Sequence, residues 1–115
     1  MGNKSITAVL GTCSWETYYE GGTKTRHESG SVPPPELAKY QKESLTVEPR
    51  SSIVLDFKYK PDDYIVSIWQ GDNPSIQQVK DGKIIAPQQK GLVVYEIHAI
   101  WKEGDAVYAF SANVE

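Results

Sequence analysis

A chain of 115 residues, 39% hydrophobic and 23% charged, is long enough to bury one core and too short for two, so a single domain over residues 1–115 is expected. The net charge of -3 and pI near 5.4 offer no concentrated basic surface to neutralise phosphates, which argues against a nucleic-acid partner. The single cysteine, Cys13, excludes an intramolecular disulfide, no Cys/His spacing suits structural zinc, and no apolar run approaches the ~20 residues needed to span a bilayer.

Ile6 to Leu10 alternates and predicts a first strand, which continues or bends at Gly11 into a second from Cys13 to Tyr19. Cys13 falls in the row Cys13, Trp15, Thr17, Tyr19, the place of a buried, inert thiol. Gly21-Gly22 predicts a hairpin turn, because glycine reaches positive φ without steric cost. The return arm from Thr23 to Glu28 is polar, as suits an edge or solvated strand. Tyr18 and Tyr19 are adjacent, so they leave opposite faces and one of them is exposed.

Pro33-Pro34-Pro35 removes three successive backbone donors and rules out a central strand. Proline suits a helix start, so Glu36 to Tyr40 predicts one short helical turn capping the core through Leu37 and Tyr40. Short strands follow at Leu45 to Val47 and, with clear alternation, at Ser52 to Lys60. After Pro61-Asp62-Asp63 comes a strand from Tyr64 to Gln70, broken by Gly71-Asp72-Asn73-Pro74. Ile76 to Val79 and Lys83 to Ala86 read as two arms about Asp81-Gly82.

The strongest signal is the last. Val93, Tyr95, Ile97, Ala99 and Trp101 form one apolar row, and Ala106, Tyr108, Phe110, Ala112 and Val114 form another beyond Lys102-Glu103-Gly104-Asp105. Period 2 around a short polar connection predicts a β-hairpin with both rows on one face, the seam of the core. The same alternation places Trp15, Trp69 and Trp101 in core rows. With about eight to ten short strands and at most one helical turn, the fold class is all-β, an antiparallel β-sandwich of immunoglobulin-like kind, with a small barrel as the alternative.

Chemistry is sparsely signalled. No Gly-x-Ser-x-Gly, glycine-rich phosphate loop or EF-hand spacing occurs, so no catalytic residue, metal ligand or cofactor is assigned and the chain reads as non-enzymatic. His98 lies opposite the Tyr95 row, beside Glu96, as a satisfied or surface histidine. Acidic residues collect in turns at Asp62, Asp72, Glu103 and Asp105. Binding candidates are therefore Tyr19, Glu96, His98, Asp62, Asp72, Glu103 and Asp105. An alternative is a small metal-assisted hydrolase or calcium-dependent sensor, in which these loop carboxylates and His98 converge.

Gly11-Thr12-Cys13-Ser14-Trp15, the Gly-Gly turn, Pro34-Pro35-Glu36-Leu37, Trp69, Pro87, Gly91 to Glu96 and Trp101 to Phe110 together resemble small extracytoplasmic β-sandwich domains of Bacillus-like bacteria. Cys13 stands where that pattern has an aromatic residue. The resemblance implies a secreted or lipoprotein-type protein of uncharacterised function, membrane-anchored through a leader outside these residues; a monomer facing a protein or cell-wall partner through its loops or an exposed strand is the accompanying expectation. It carries no catalytic residues over to this chain.

Overall fold

The computed structural model describes residues 7–18, 24–30, 32–41, 44–57, 59–70 and 73–115. It is an antiparallel β-sandwich with two very unequal layers. Strands β1 (Val9–Tyr18), β2 (Lys24–Ser29), β3 (Thr46–Val47), β4 (Ser52–Val54), β5 (Asp63–Gln70), β6 (Asn73–Gln77), β7 (Lys83–Ile85), β8 (Gly91–Ile100) and β9 (Gly104–Val114) form it, with a helical turn α1 (Pro34–Leu37) running into a 3-10 turn at Ala38–Tyr40. The larger sheet has the order β2-β1-β9-β8-β5-β6, with β3 parallel to the end of β9; β4 and β7 make the second sheet.

The predicted hairpin is the centre of the large sheet. β8 and β9 pair without interruption from Gly91 opposite Val114 to Ile100 opposite Asp105. The turn closes through Trp101 N–H donating to Gly104 O at 2.8 Å. Both predicted rows face inward: Val93, Tyr95, Ile97, Phe110, Ala112 and Val114 meet Val66 and Ile68 of β5, with Ile84 of β7 closing over them. Ile84 and Tyr95 are fully buried, and the Tyr95 and Phe110 rings stack at 5.1 Å. The opposite face receives Leu37 of α1 and Ala38 of the 3-10 turn, which pack on the fully buried Ala109, while Tyr40, expected to share in this cap, is exposed because the change to a 3-10 turn carries it off the sheet-facing side.

Several boundaries differ from the sequence reading, each for a physical reason. The first two predicted strands are one, because a β-bulge between Leu10 and Cys13 absorbs the Gly11-Thr12 step. The strand expected over Ser52 to Lys60 stops at Val54, because its partner β7 offers only three residues and Leu55 N–H turns to Gly82 O at 2.8 Å. Asp81 (φ 54°) and Gly82 (φ 72°) do make the expected two-residue turn, closed by reciprocal 3.0 Å bonds between Lys80 and Lys83. Its arms then part: β7 joins β4, while Ile76 belongs to β6, which pairs with β5 through Pro74 opposite Trp69. Pro74 is tolerated there because β6 is the sheet edge and needs no donor on its outer side.

Between its β1-paired and β3-paired segments, β9 is completed by a side chain. Gln41 accepts from Ser111 N–H at 2.8 Å and donates to Ser111 O at 3.3 Å, supplying both hydrogen bonds a neighbouring strand would give.

Candidate functional site

The side chains outside the core row collect on the outer face of the large sheet and at its β8–β9 turn. On β8, residues alternate buried and part-exposed, so Glu96 and His98 point away from Tyr95 and Ile97, as expected. The register sets Ser67 of β5 opposite Glu96 and Ile65 opposite His98. Glu96 is half-buried and accepts a hydrogen bond from Trp69 Nε1–H at 2.9 Å. Trp69 is thus not a core residue: its place on β5 shares the parity of Ile65 and Ser67, on the outer face, and its ring is only half-buried.

His98 has a partner that no local motif announces. Its Nε2 lies 2.6 Å from Asp105 Oδ2, with the two side chains 39% and 43% exposed. The pair follows from the hairpin register: His98 opposes Val107 and Ile100 opposes Asp105, which makes His98 and Asp105 diagonal neighbours on one face. Counting back from the tight Trp101 to Gly104 turn would have found it.

Ser14, His98 and Asp105 line one shallow depression of about 390 Å3 with the turn residues Lys102 to Gly104. The composition suggests a nucleophile triad, but the order is wrong. Asp105 on β9 stands between Ser14 on β1 and His98 on β8, so Ser14 and His98 are two strand spacings apart, roughly 10 Å. A triad needs the histidine between the serine and the carboxylate. His98 meets one carboxylate rather than two, and among the described residues no three of His, Cys, Asp and Glu converge as metal ligands.

The remaining predicted residues fall as follows. Asp62 is exposed at the same end, held there by its N–H donating to Ile100 O at 2.9 Å. Glu103 accepts from the Tyr59 hydroxyl at 3.1 Å. Tyr59 also stacks on Trp101, centroids 6.0 Å apart, while Trp101 Nε1–H donates to Tyr59 O at 3.1 Å. No sequence motif marks Tyr59: the alternation puts it inside a long strand, whereas it follows the short β4 as an exposed loop residue. Tyr19 and Asp72 lie outside the described residues. The structure therefore places Asp62, Glu103, Asp105 and His98 at the β8–β9 turn end, and Glu96 farther along the outer face, opposite Ala109 and bonded to Trp69.

In comparison with known proteins, no family model, no curated protein and no solved structure matches this chain. Among the described residues no helix is long and apolar enough to cross a membrane.

Proposed function

We propose that this chain is a non-enzymatic binding domain that presents the outer face of its large sheet to a protein or cell-wall partner. One observation carries the reading. Ile65, Ile76, Leu92 and Ile100, exposed at 44%, 80%, 70% and 37%, share that face with the Trp69–Glu96 and His98–Asp105 pairs. Apolar side chains grouped on one face and interleaved with paired polar groups have the composition of an interaction surface. The hydrolase and calcium readings draw no support from the described residues, because the carboxylates bond singly to Tyr59, Trp69 and His98 instead of converging.

An extracytoplasmic, leader-anchored setting belongs to the same proposal and rests on the sequence resemblance. Reading the coding sequence upstream of Met1 for a lipoprotein leader tests it.

The surface is tested by Ile65→Thr/Ile76→Thr, which removes apolar area from exposed positions and leaves the core rows intact. The wild type, cross-linked in a cell-envelope extract, is expected to retain a protein or wall fraction that the double variant loses at unchanged Tm. Identical capture by both proteins sinks the proposal. A wild-type dimer in sedimentation that the double variant dissociates would assign the face to self-association instead.

A further inference from the structure

The inner face of the large sheet runs on past the small sheet. There Leu10, Cys13, Phe57, Tyr59, Trp101 and Tyr108 line an apolar cleft of about 320 Å3. Four of these side chains are aromatic, and the indole N–H of Trp101 is already spent on Tyr59 O, so the walls are aromatic and aliphatic carbon. A volume near 300 Å3 is at the small end of ligand sites and holds one ring with a short chain.

The rim is acidic. Glu103 sits on the Tyr59 hydroxyl at 3.1 Å, and Asp62 is fixed beside it by its bond to Ile100. Asp63 and Asp105 stand at the same end but on the outer face, Asp63 opposite Ile100 and Asp105 on His98; the exposed lysines at this end are Lys60 and Lys102, and the Lys58 side chain lies outside the described residues. At the cleft edge the carboxylates prevail. The Glu103 hydrogen bond, the Glu103 charge, burial and the Asp62 charge all push the Tyr59 hydroxyl above the ordinary tyrosine pKa. Aromatic faces attract cations through their quadrupole, and a rim carboxylate attracts them through its charge.

We propose that this cleft binds a small organic ammonium ion, its apolar body between Leu10 and the aromatic walls and its charged head at Glu103. An anion of the same shape meets the same field with the sign reversed, and a neutral isostere gains only burial. The site is on the other face from the proposed partner surface, so its test stands independently.

Cys13, the only cysteine of the chain, is half-buried at the cleft wall and not enclosed as the alternation predicts, so its alkylation by iodoacetamide reports occupancy. Phenethylamine, 2-phenylethanol and phenylacetate are compared as cation, neutral molecule and anion of one size. Phenethylamine is expected to half-protect Cys13 at a concentration on the order of millimolar, about five- to tenfold below the other two. Glu103→Gln should bring the three together, and Leu10→Trp, which fills the cleft, should remove protection by all. If Cys13 proves unreactive, the Trp101 indole N–H resonance serves as readout, with the same ranking expected. Equal effects from the three compounds, preference for phenylacetate, or no response of either probe would overturn the proposal.

Discussion

Tyr95→Phe should stabilise the protein. Tyr95 has no exposed surface, its ring stacks on Phe110, and its hydroxyl is buried without a hydrogen-bond partner. A buried, unsatisfied polar group costs about 1–3 kcal/mol, because water that bonds it in the unfolded chain is not replaced. Removing one oxygen leaves the ring and its stacking in place, and the small void offsets part of the gain, so a net rise of about 1–2 kcal/mol is expected at pH 7. The pH dependence supplies a second check. Burial pushes the Tyr95 pKa up to about 12 from the ordinary 10.0. Above pH 10 the unfolded tyrosine loses its proton while the folded one keeps it, so the folded state binds more protons and stability falls as pH rises. That loss runs at about 1.4 kcal/mol per pH unit towards the folded pKa. Phenylalanine does not titrate, so the variant's advantage should widen from pH 10 upward and be constant below it; titrations common to both proteins cancel in the difference. Urea unfolding followed by circular dichroism at pH 7 and at several points above pH 10 measures both effects. A variant less stable than the parent at pH 7, or a gap that does not grow with pH, would refute the reasoning.

Ile84→Ala should cost about 2–5 kcal/mol, since Ile84 is fully buried where β7 closes over the large sheet; a smaller loss by urea unfolding would mean that the second layer is not packed as described. Gly82→Ala should cost about 1 kcal/mol through its positive φ alone, because an added Cβ comes no closer than 3.9 Å to any neighbour, Leu55 O; differential scanning calorimetry reads it as a modest fall in Tm. Asp105→Asn should change stability by no more than about 1 kcal/mol, as both partners of the His98 pair are well over a third exposed. Glu96→Ala should move one indole N–H resonance, that of Trp69, while Glu96→Gln keeps an acceptor and moves it less.

The inward rows were legible in the sequence because a sheet face is written at period 2 and needs no distant information. Tyr95, Ile97, Phe110 and Ala112 could be placed before their partners were known. Trp69 shows where that reading fails. Its strand carries apolar residues at both parities, Ile65 and Trp69 on one side and Val66 and Ile68 on the other, so alternation could not say which row faces the core. The register against β8 decides it, and register is a property of two strands. The partners of β6 and β7 were hidden for the same reason: Asp81-Gly82 encodes a turn, but a turn does not oblige its arms to continue pairing beyond Lys80 and Lys83. His98 and Asp105, by contrast, required only the hairpin count.

Both candidate surfaces follow from one asymmetry of the fold. A two-stranded layer with three residues in each strand covers the inner face over Val66, Tyr95 and Phe110, and cannot reach the turn at Trp101. There Trp101 packs with Ala99 and Ala106 under loop and strand side chains, Phe57, Tyr64 and Tyr108, and stacks on Tyr59; beside these rings the cleft stays open. On the outer face the helical turn is also short and rests on Ala109, where small size lets a turn approach the sheet; larger side chains to either side are left uncovered. A longer helix would have covered Ile65 and Ile100 on the outer face, and a wider second sheet would have closed the cleft beside Trp101 on the inner one. The same short elements that make the core small therefore leave open the two places where the proposed partner and ligand would be met, the sheet face carrying Glu96 and His98 and the cleft beside Glu103.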